Sequence, residues 1–339
     1  MKELDKLPLP LLLWFRDNAR VLPWRSDPTP YHVWVSEIML QQTRVAAVLG
    51  YYERFLAALP DVQSLARCEE GSLLKLWQGL GYYSRPRNLQ KAAKQILTDF
   101  GGEFPKNYVN LRKLVGVGDY TAGAIASIAF GEPVPAVDGN VLRVVSRLTD
   151  DHRDVTRPET KEDIRQYLVD IIPREMPGDF NQAMMDLGAT VCLPNGAPLC
   201  EKCPCAGFCA GYQKGTAADL PVKAPKKARR VEERTVWLIF REGKVALRRR
   251  PAKGLLAGLW EYPNELGEAP CPVEGGVEYA TAGKHIFTHV EWRMKGYTVA
   301  AATDALPEGW VWADRGELAS TYAVPSAFES FAHIVAEHL

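Results

Sequence analysis

The sequence predicts two structural classes in one chain: a mostly helical N-terminal two-thirds and a small α+β C-terminal third. Three observations carry this. Apolar residues recur at three- and four-residue spacings from about residue 7 to 215. The stretch 215–233 is rich in Ala, Pro and Lys and has no periodicity, as an interdomain linker does. Beyond it come short β-branched and aromatic runs.

In the first part, the spacing predicts helices over Leu65–Trp77, Asn88–Phe100, Thr121–Phe130, Val141–Leu148 and Lys161–Ile172, punctuated by Gly, Pro and Asp. In the last part, Thr235–Phe240, Lys244–Leu247 and Arg293–Ala301 read as strands. The tail Ser326–Leu339 has helical spacing, with Phe328, Phe331, Ile334 and Val335 on one side. No internal repeat is visible.

At 339 residues the chain is long enough for two or three cores. The longest uncharged apolar run, about Ala122–Phe130, is too short to cross a bilayer. Leu7–Phe15 does not read as an export signal, because Glu3 and Asp5 precede it and Arg16–Asp17 ends it. A cytoplasmic address is expected. With 41 basic and 41 acidic residues the net charge is zero, so bulk charge does not announce a nucleic-acid partner. Two basic stretches stand out, Lys223, Lys226, Lys227, Arg229 and Arg230, then Arg248–Arg250 with Lys253. Such runs are either solvated surface or phosphate contacts.

Five of the seven cysteines fall between Cys192 and Cys209, namely Cys192, Cys200, Cys203, Cys205 and Cys209. Such clustering in a chain with an odd cysteine count points to metal thiolates rather than disulfides, and zinc or an iron–sulfur cluster fits equally by spacing. Further upstream, Leu114–Ala122 (LVGVGDYTA) opens a helix after a short helical turn. Gly116 and Gly118 permit a tight turn, leaving backbone N–H groups free to hold a phosphate. Two acids sit in dissimilar surroundings. Glu37 lies in the apolar run Val33–Leu40, where burial should raise its pKa. Asp138 lies in Val137–Val141 at a helix start, where aspartate is also an ordinary N-cap.

The cysteine loop resembles the C-x6-C-x2-C-x5-C loop of the endonuclease III family, which holds a 4Fe-4S cluster through residues matching Cys192, Cys200, Cys203 and Cys209. Seven residues, not six, separate the first pair; Pro194, Asn195, Gly196 and Pro198 can absorb the insertion. Cys205 is surplus to the pattern and could replace a neighbour. LVGVGDYTA resembles the helix-hairpin-helix of the same DNA glycosylase superfamily, with Val115 where proline is usual. Ser36–Thr43 (SEIMLQQT) and Val137–Val141 (VDGNV) are similar to the catalytic segments of the adenine-glycosylase (MutY) family, and the likeness covers nearly the whole chain in order.

That resemblance implies a helix-hairpin-helix DNA glycosylase unit over 1–214. It would comprise a six-helix barrel (about 30–137) and a 4Fe-4S cluster lobe (1–29 plus 138–214). The linker 215–233 and a Nudix-like domain over 234–339 would follow. It implies Glu37 as the acid that protonates adenine and activates water, and Asp138 as the carboxylate facing the sugar cation. Tyr120 and Asn140 would lie near the reaction centre and Trp24 would line the base pocket. Tyr120 stands where bifunctional members carry the lysine that forms a Schiff base, so base removal without strand cleavage is implied. Gln42 and Tyr82 match residues that wedge into the duplex, and Thr43 matches a contact to the opposite guanine. Phe287–Thr288–His289 matches a loop that approaches 8-oxoguanine.

The implied partner is double-stranded DNA with adenine opposite 8-oxoguanine or guanine, met by a bacterial, nucleoid-associated monomer. Three rivals remain. A thymine or pyrimidine mismatch glycosylase would typically lack the C-terminal third. A non-catalytic iron–sulfur DNA-binding protein would not need Glu37 and Asp138. A Nudix-type nucleotide hydrolase would need a magnesium box, R-E-x-x-E-E, that this sequence does not contain.

Overall fold

A computed structural model describes residues 4–194, 196–225 and 228–339. Glu3, Asn195, Lys226 and Lys227 lie outside the described residues. The chain folds as two compact units, one of residues 1–67 and 88–225, the other of residues 68–87 and 226–339.

The first unit is helical. In order it holds α1 (Pro8–Asn18), α2 (Pro23–Ser26), α3 (Pro30–Leu40), α4 (Val45–Ala58) and α5 (Val62–Arg67). In the second unit lies α6 (Glu70–Leu76), and α7 (Ser84–Asp99) leads back into the first. Then follow α8 (Tyr108–Leu111), α9 (Asp119–Phe130), α10 (Gly139–Thr149), α11 (Pro158–Ile171), α12 (Pro177–Thr190) and α13 (Ala210–Gln213). Proline opens α1, α2, α3, α11 and α12, where its fixed φ and missing N–H are no handicap. The continuous helix expected over Leu65–Trp77 is instead two, α5 and α6. Glu69 stops the first by capping the second, its carboxylate accepting from Ser72 N–H at 2.8 Å.

One core of this unit gathers Leu4, Leu7 and Leu11 from the N-terminus with Val141, Val144 and Leu148 of α10, Ile164 and Leu168 of α11, and Phe180, Met184 and Leu187 of α12. The N-terminal segment therefore closes over helices more than a hundred residues away. Among the described residues no helix is long and apolar enough to cross a membrane.

The second unit is built on a seven-stranded mixed sheet. Its strands are β1 (Arg230–Arg241), β2 (Lys244–Arg249), β3 (Trp260–Glu261), β4 (Asn264–Leu266), β5 (Gly275–Ile286), β6 (Val290–Ala301) and β7 (Trp310–Ala313). The order is β3-β2-β1-β6-β5, with β4 also on β1 and β7 on β2. β1 and β6 run parallel from Arg230 opposite Val290 to Phe240 opposite Ala300. Val236, Leu238 and Phe240 point to one face and Trp237 and Ile239 to the other, the alternation a pleated strand imposes. The first face packs against Phe328, Phe331 and Val335 of the C-terminal segment, a 3-10 turn (Ser326–Phe331) followed by α15 (Ala332–His338); α14 (Arg315–Ser320) precedes them.

β1 begins at Arg230, so the segment expected to be linker up to residue 233 is already strand at its end. The sequence of β5, GGVEYATAGKHI, is rich in Gly and Ala and largely exposed, so its strand signal is weak; cross-strand pairing with β6 forms it.

Candidate active site

In α3, Thr29 caps the helix by accepting from His32 N–H at 3.2 Å, and Pro30 occupies its first turn. This sets eight of the eleven residues of the helix inside the unit, Glu37 among them at 5% exposure. Glu37 opens onto a cleft of about 780 Å³ whose walls come from α2, α3, α9, α10 and α12. Trp24, Gln42, Thr43, Tyr120, Asp138 and Asn140, all singled out from sequence, line the same cleft. Tyr120 O–H donates to Glu37 Oε2 at 2.6 Å and sits 3.7 Å from Met185 Sδ. Burial, opposed by that hydrogen bond and by Arg25 but reinforced by the charge of Asp138, pushes the Glu37 carboxyl up to about 7. Burial and the neighbouring Glu37 hold the Tyr120 phenol well above the usual tyrosine range.

Asp138 is half-buried and is in fact the N-cap of α10. Its Oδ1 accepts from Asn140 N–H at 2.9 Å and Val141 N–H at 2.8 Å, and its Oδ2 from the Asn140 amide at 2.7 Å. The cap and the functional reading are one geometry, because both carboxylate oxygens are fixed toward the helix terminus. Burial raises the Asp138 carboxyl, against the pull of these three donors. The Asn140 amide is oriented in turn by Arg143 Nη2, which donates to Asn140 Oδ1 at 2.9 Å and to Gly188 O at 2.7 Å. A side chain at Gly188 would place its Cβ 2.7 Å from Asn140 Cβ, so only glycine lets α12 lie this close to α10.

The hairpin of α8 and α9 turns through Gly116 at φ +77°, where a Cβ would stand 2.7 Å from Asn88 Cβ. Gly118 is the N-cap of α9 and has no side chain to fill the cap, leaving the first N–H groups of that helix available to a ligand. Asp119, an acid beside that terminus, is paired with Arg112 at 2.7 Å and Tyr108 at 2.6 Å.

In the cysteine loop, Cys192, Cys200, Cys203 and Cys209 line one cavity walled by Val144, Leu148, Leu187 and Val191. Cys205 does not line it and is buried in the helical core. Arg147 Nη1 donates to Cys192 Sγ at 3.2 Å. Burial pushes the thiols of Cys192, Cys200 and Cys209 up, the last to about 11, so thiolates there need a cation beside them. The sulfurs border a cavity rather than meeting at a point. Among the described residues no three His, Cys, Asp or Glu side chains converge as ligands of one ion.

In the second unit, Phe287, Thr288 and His289 form the β5–β6 turn, closed by Phe287 N–H donating to Val290 O at 2.8 Å. Phe287 stands edge-on to Trp292 at 4.9 Å. Thr288 and His289 are exposed. Tyr82, 46% exposed at φ +48°, places its hydroxyl 3.2 Å from Thr288 Oγ1. Gln42, in the first unit, also has positive φ, +57°. Several described residues of the basic stretches have partners within the unit. Arg229 donates to Phe287 O at 3.1 Å, and Arg248 and Arg250 pair with the buried Glu261. The run Arg248–Arg250 is thus mainly an internal ion network rather than free surface.

A model of the HhH-GPD superfamily of base excision DNA repair proteins matches residues 35–173, and one of the NUDIX domain matches 235–333. Adenine DNA glycosylase of Mus musculus is 34% identical over 97% of this chain and 77% of its own length. That of Schizosaccharomyces pombe is 31% identical over 93% and 86%. The chain belongs to the adenine DNA glycosylase family. It is accordingly a base-excision DNA glycosylase.

Among solved structures, a thermostable thymine-DNA glycosylase is similar at TM-score 0.58 and 27% identity, with 63% of this chain covering 98% of that one. A non-covalent endonuclease III–DNA complex follows at TM-score 0.54 and 25% identity, covering 63% and 97%. Over a third of this glycosylase therefore has no counterpart in either.

Among the cleft residues that sequence reasoning missed are Arg20, Arg25, Arg44, Gln182 and Met185. It also missed Asp186, which anchors Arg20 and Arg25. A signal existed for the last, since an aspartate between Ala183 and Leu187 interrupts the apolar side of α12. The arginines Arg20 and Arg25 left none, because nothing in RVLPWR shows which way a guanidinium turns.

Proposed function

We propose that this glycosylase hydrolyses the N-glycosidic bond of adenine opposite 8-oxoguanine, and opposite guanine, in double-stranded DNA. The observation that carries the reading is the pair Glu37 and Asp138, two carboxyls in one cleft whose surroundings suit opposite tasks. Glu37, buried and holding its proton near neutrality, protonates the departing adenine and then accepts a proton from the attacking water. Tyr120 fixes its free rotation through the 2.6 Å hydrogen bond. Asp138, its oxygens held by Asn140 and Val141, faces the sugar and stabilises the oxocarbenium ion. Having a phenol at position 120, the enzyme forms no Schiff base there and stops at base removal.

Trp24 receives the flipped base. Gln42 and Tyr82, both with left-handed backbone at non-glycine positions, fill the vacated stack, and Thr43 meets the opposite guanine. The backbone at Gly116 and Gly118 holds a phosphate. Phe287, Thr288 and His289 read the oxidised guanine. Cys192, Cys200, Cys203 and Cys209, four thiol donors around one cavity, are the donor set a 4Fe-4S cluster takes. Bound there, the cluster would cross-link the loop 192–209 and order the floor under α10.

A single-turnover glycosylase assay on duplexes differing only in the base opposite adenine tests the reading. Release is expected opposite 8-oxoguanine and guanine and not opposite thymine. Equal rates opposite thymine and 8-oxoguanine would refute it.

A further inference from the structure

Asp186 is entirely buried, yet it is not one of the two carboxyls the reaction uses. Its oxygens accept from Arg20 Nε at 2.8 Å, Arg20 Nη2 at 2.5 Å, Arg20 N at 3.2 Å, and Arg25 Nη1 and Nη2 at 2.8 and 2.9 Å. That saturates the roughly four acceptor sites a carboxylate offers. Those bonds outweigh burial and hold Asp186 ionised. Arg25 Nη1 also donates to Arg20 O at 3.2 Å, and the guanidinium lies 5.4 Å from the Phe15 ring. Arg25 is thereby drawn toward α12 and α1, although it lines the cleft that holds Glu37.

We propose that Asp186 is a positioning residue that holds the Arg25 guanidinium off the Glu37 carboxyl and so keeps that acid protonated at neutral pH. The proposal rests on the role given to Glu37 above. The charged and titratable groups lining the cleft around Glu37 are Arg25 from α2, Tyr120 from α9, Asp138 before α10, and Arg20 and Arg44 from the connecting turns. Of these, Arg25 is the cation whose charge acts on Glu37 most directly. Two arginines beside an uncompensated cleft would favour the Glu37 carboxylate, and a carboxylate cannot protonate adenine. One buried aspartate shared between them offsets that bias without a side chain in the reaction path.

The test is the pH profile of single-turnover base release from a duplex carrying adenine opposite 8-oxoguanine. The proteins are the full chain, Asp186→Asn, Arg25→Gln and the double variant, with Glu37→Gln as control. In Asp186→Asn the alkaline limb should move to lower pH by about one unit. The rate at pH 8 then falls about ten-fold more than the rate at pH 5. Arg25→Gln should move the limb to higher pH, and the double variant should share that position, because without Arg25 there is no guanidinium for Asp186 to hold off. A uniform loss at every pH in Asp186→Asn, or a double variant whose limb departs from that of Arg25→Gln, overturns the proposal. Should thermal melts show Asp186→Asn unfolded, Arg25→Gln and the double variant decide, and limbs that differ between those two overturn it. If Glu37→Gln keeps the parent's rate, it is the assignment of Glu37 that has failed.

Discussion

In the helical unit, Glu37 is 5% exposed, Asp138 has three donors on its carboxylate, and Asp186 is sealed behind two arginines. In the sheet unit, Thr288 and His289 stand exposed on a turn held by backbone hydrogen bonds and by Phe287 against Trp292. Under the function proposed above, the difference follows from what each would do. Proton transfer and cation stabilisation need groups whose pKa and direction are preset, and low-dielectric packing supplies both. Reading a base edge needs side chains that reach out from a rigid support, and a hairpin turn on a sheet does that. The helical site should therefore be brittle to single changes and the turn tolerant.

The largest expected effect lies in the cysteine loop. Cys209→Ser should lose the cluster and with it most folded protein, whereas Cys205→Ser should keep about four iron atoms per chain by iron assay and absorbance. Loss of iron in Cys205→Ser would mean that the surplus cysteine is a ligand. Next, Glu37→Gln should slow base release about 10³-fold with folding intact, checked by single-turnover kinetics and circular dichroism. Asp138→Asn should cost on the order of 10²-fold in rate. Because asparagine caps helices as well as aspartate does, its melting temperature should stay near the parent's, which separates the cap from the catalysis.

A pH test sharpens the same contrast. Glu37 titrates near 7 when folded against 4.5 when exposed, so its folded pKa is raised. Its contribution to stability is complete below about 4.5 and is lost as pH rises through about 7. The parent should thus give up ~3 kcal/mol between those limits through this group, and Glu37→Gln should not. Denaturant melts at pH 5 and pH 8 read the difference; a pH-independent gap between the two proteins would contradict the burial of this acid. The smallest effects belong to the turn. Phe287→Ala should reduce the preference for 8-oxoguanine over guanine opposite adenine about ten-fold, and Thr288→Ala about five-fold, with folding unchanged. A comparable loss on both duplexes would place the turn in general DNA binding instead of lesion reading.

Much of this site was legible because it is carried by short segments. SEIMLQQT puts Glu37 on an apolar helix whose burial follows from composition, and VDGNV puts a capping acid beside its own amide partner. Neither needs distant information. The sheet was only half legible: β1 announces itself through the run TVWLIF, six residues that are all buried, but exposed, Gly- and Ala-rich β5 exists because β6 lies beside it. The same holds for the basic run at 248–250, whose charge is visible in sequence while its partner Glu261 is assigned by strand pairing.

By itself, then, the sequence determined the helical and sheet halves, the two acids, the hairpin glycines and the loop of five cysteines, because each is a local pattern of residue type and spacing. Tertiary structure alone showed that the four cysteines of the family spacing border one cavity and that the surplus Cys205, fully buried, does not. It alone tied Arg20 and Arg25 to an aspartate some 160 residues away. The reason is physical: the energy of a buried charge depends on what is folded against it, and that neighbour is set by packing, not by position along the chain.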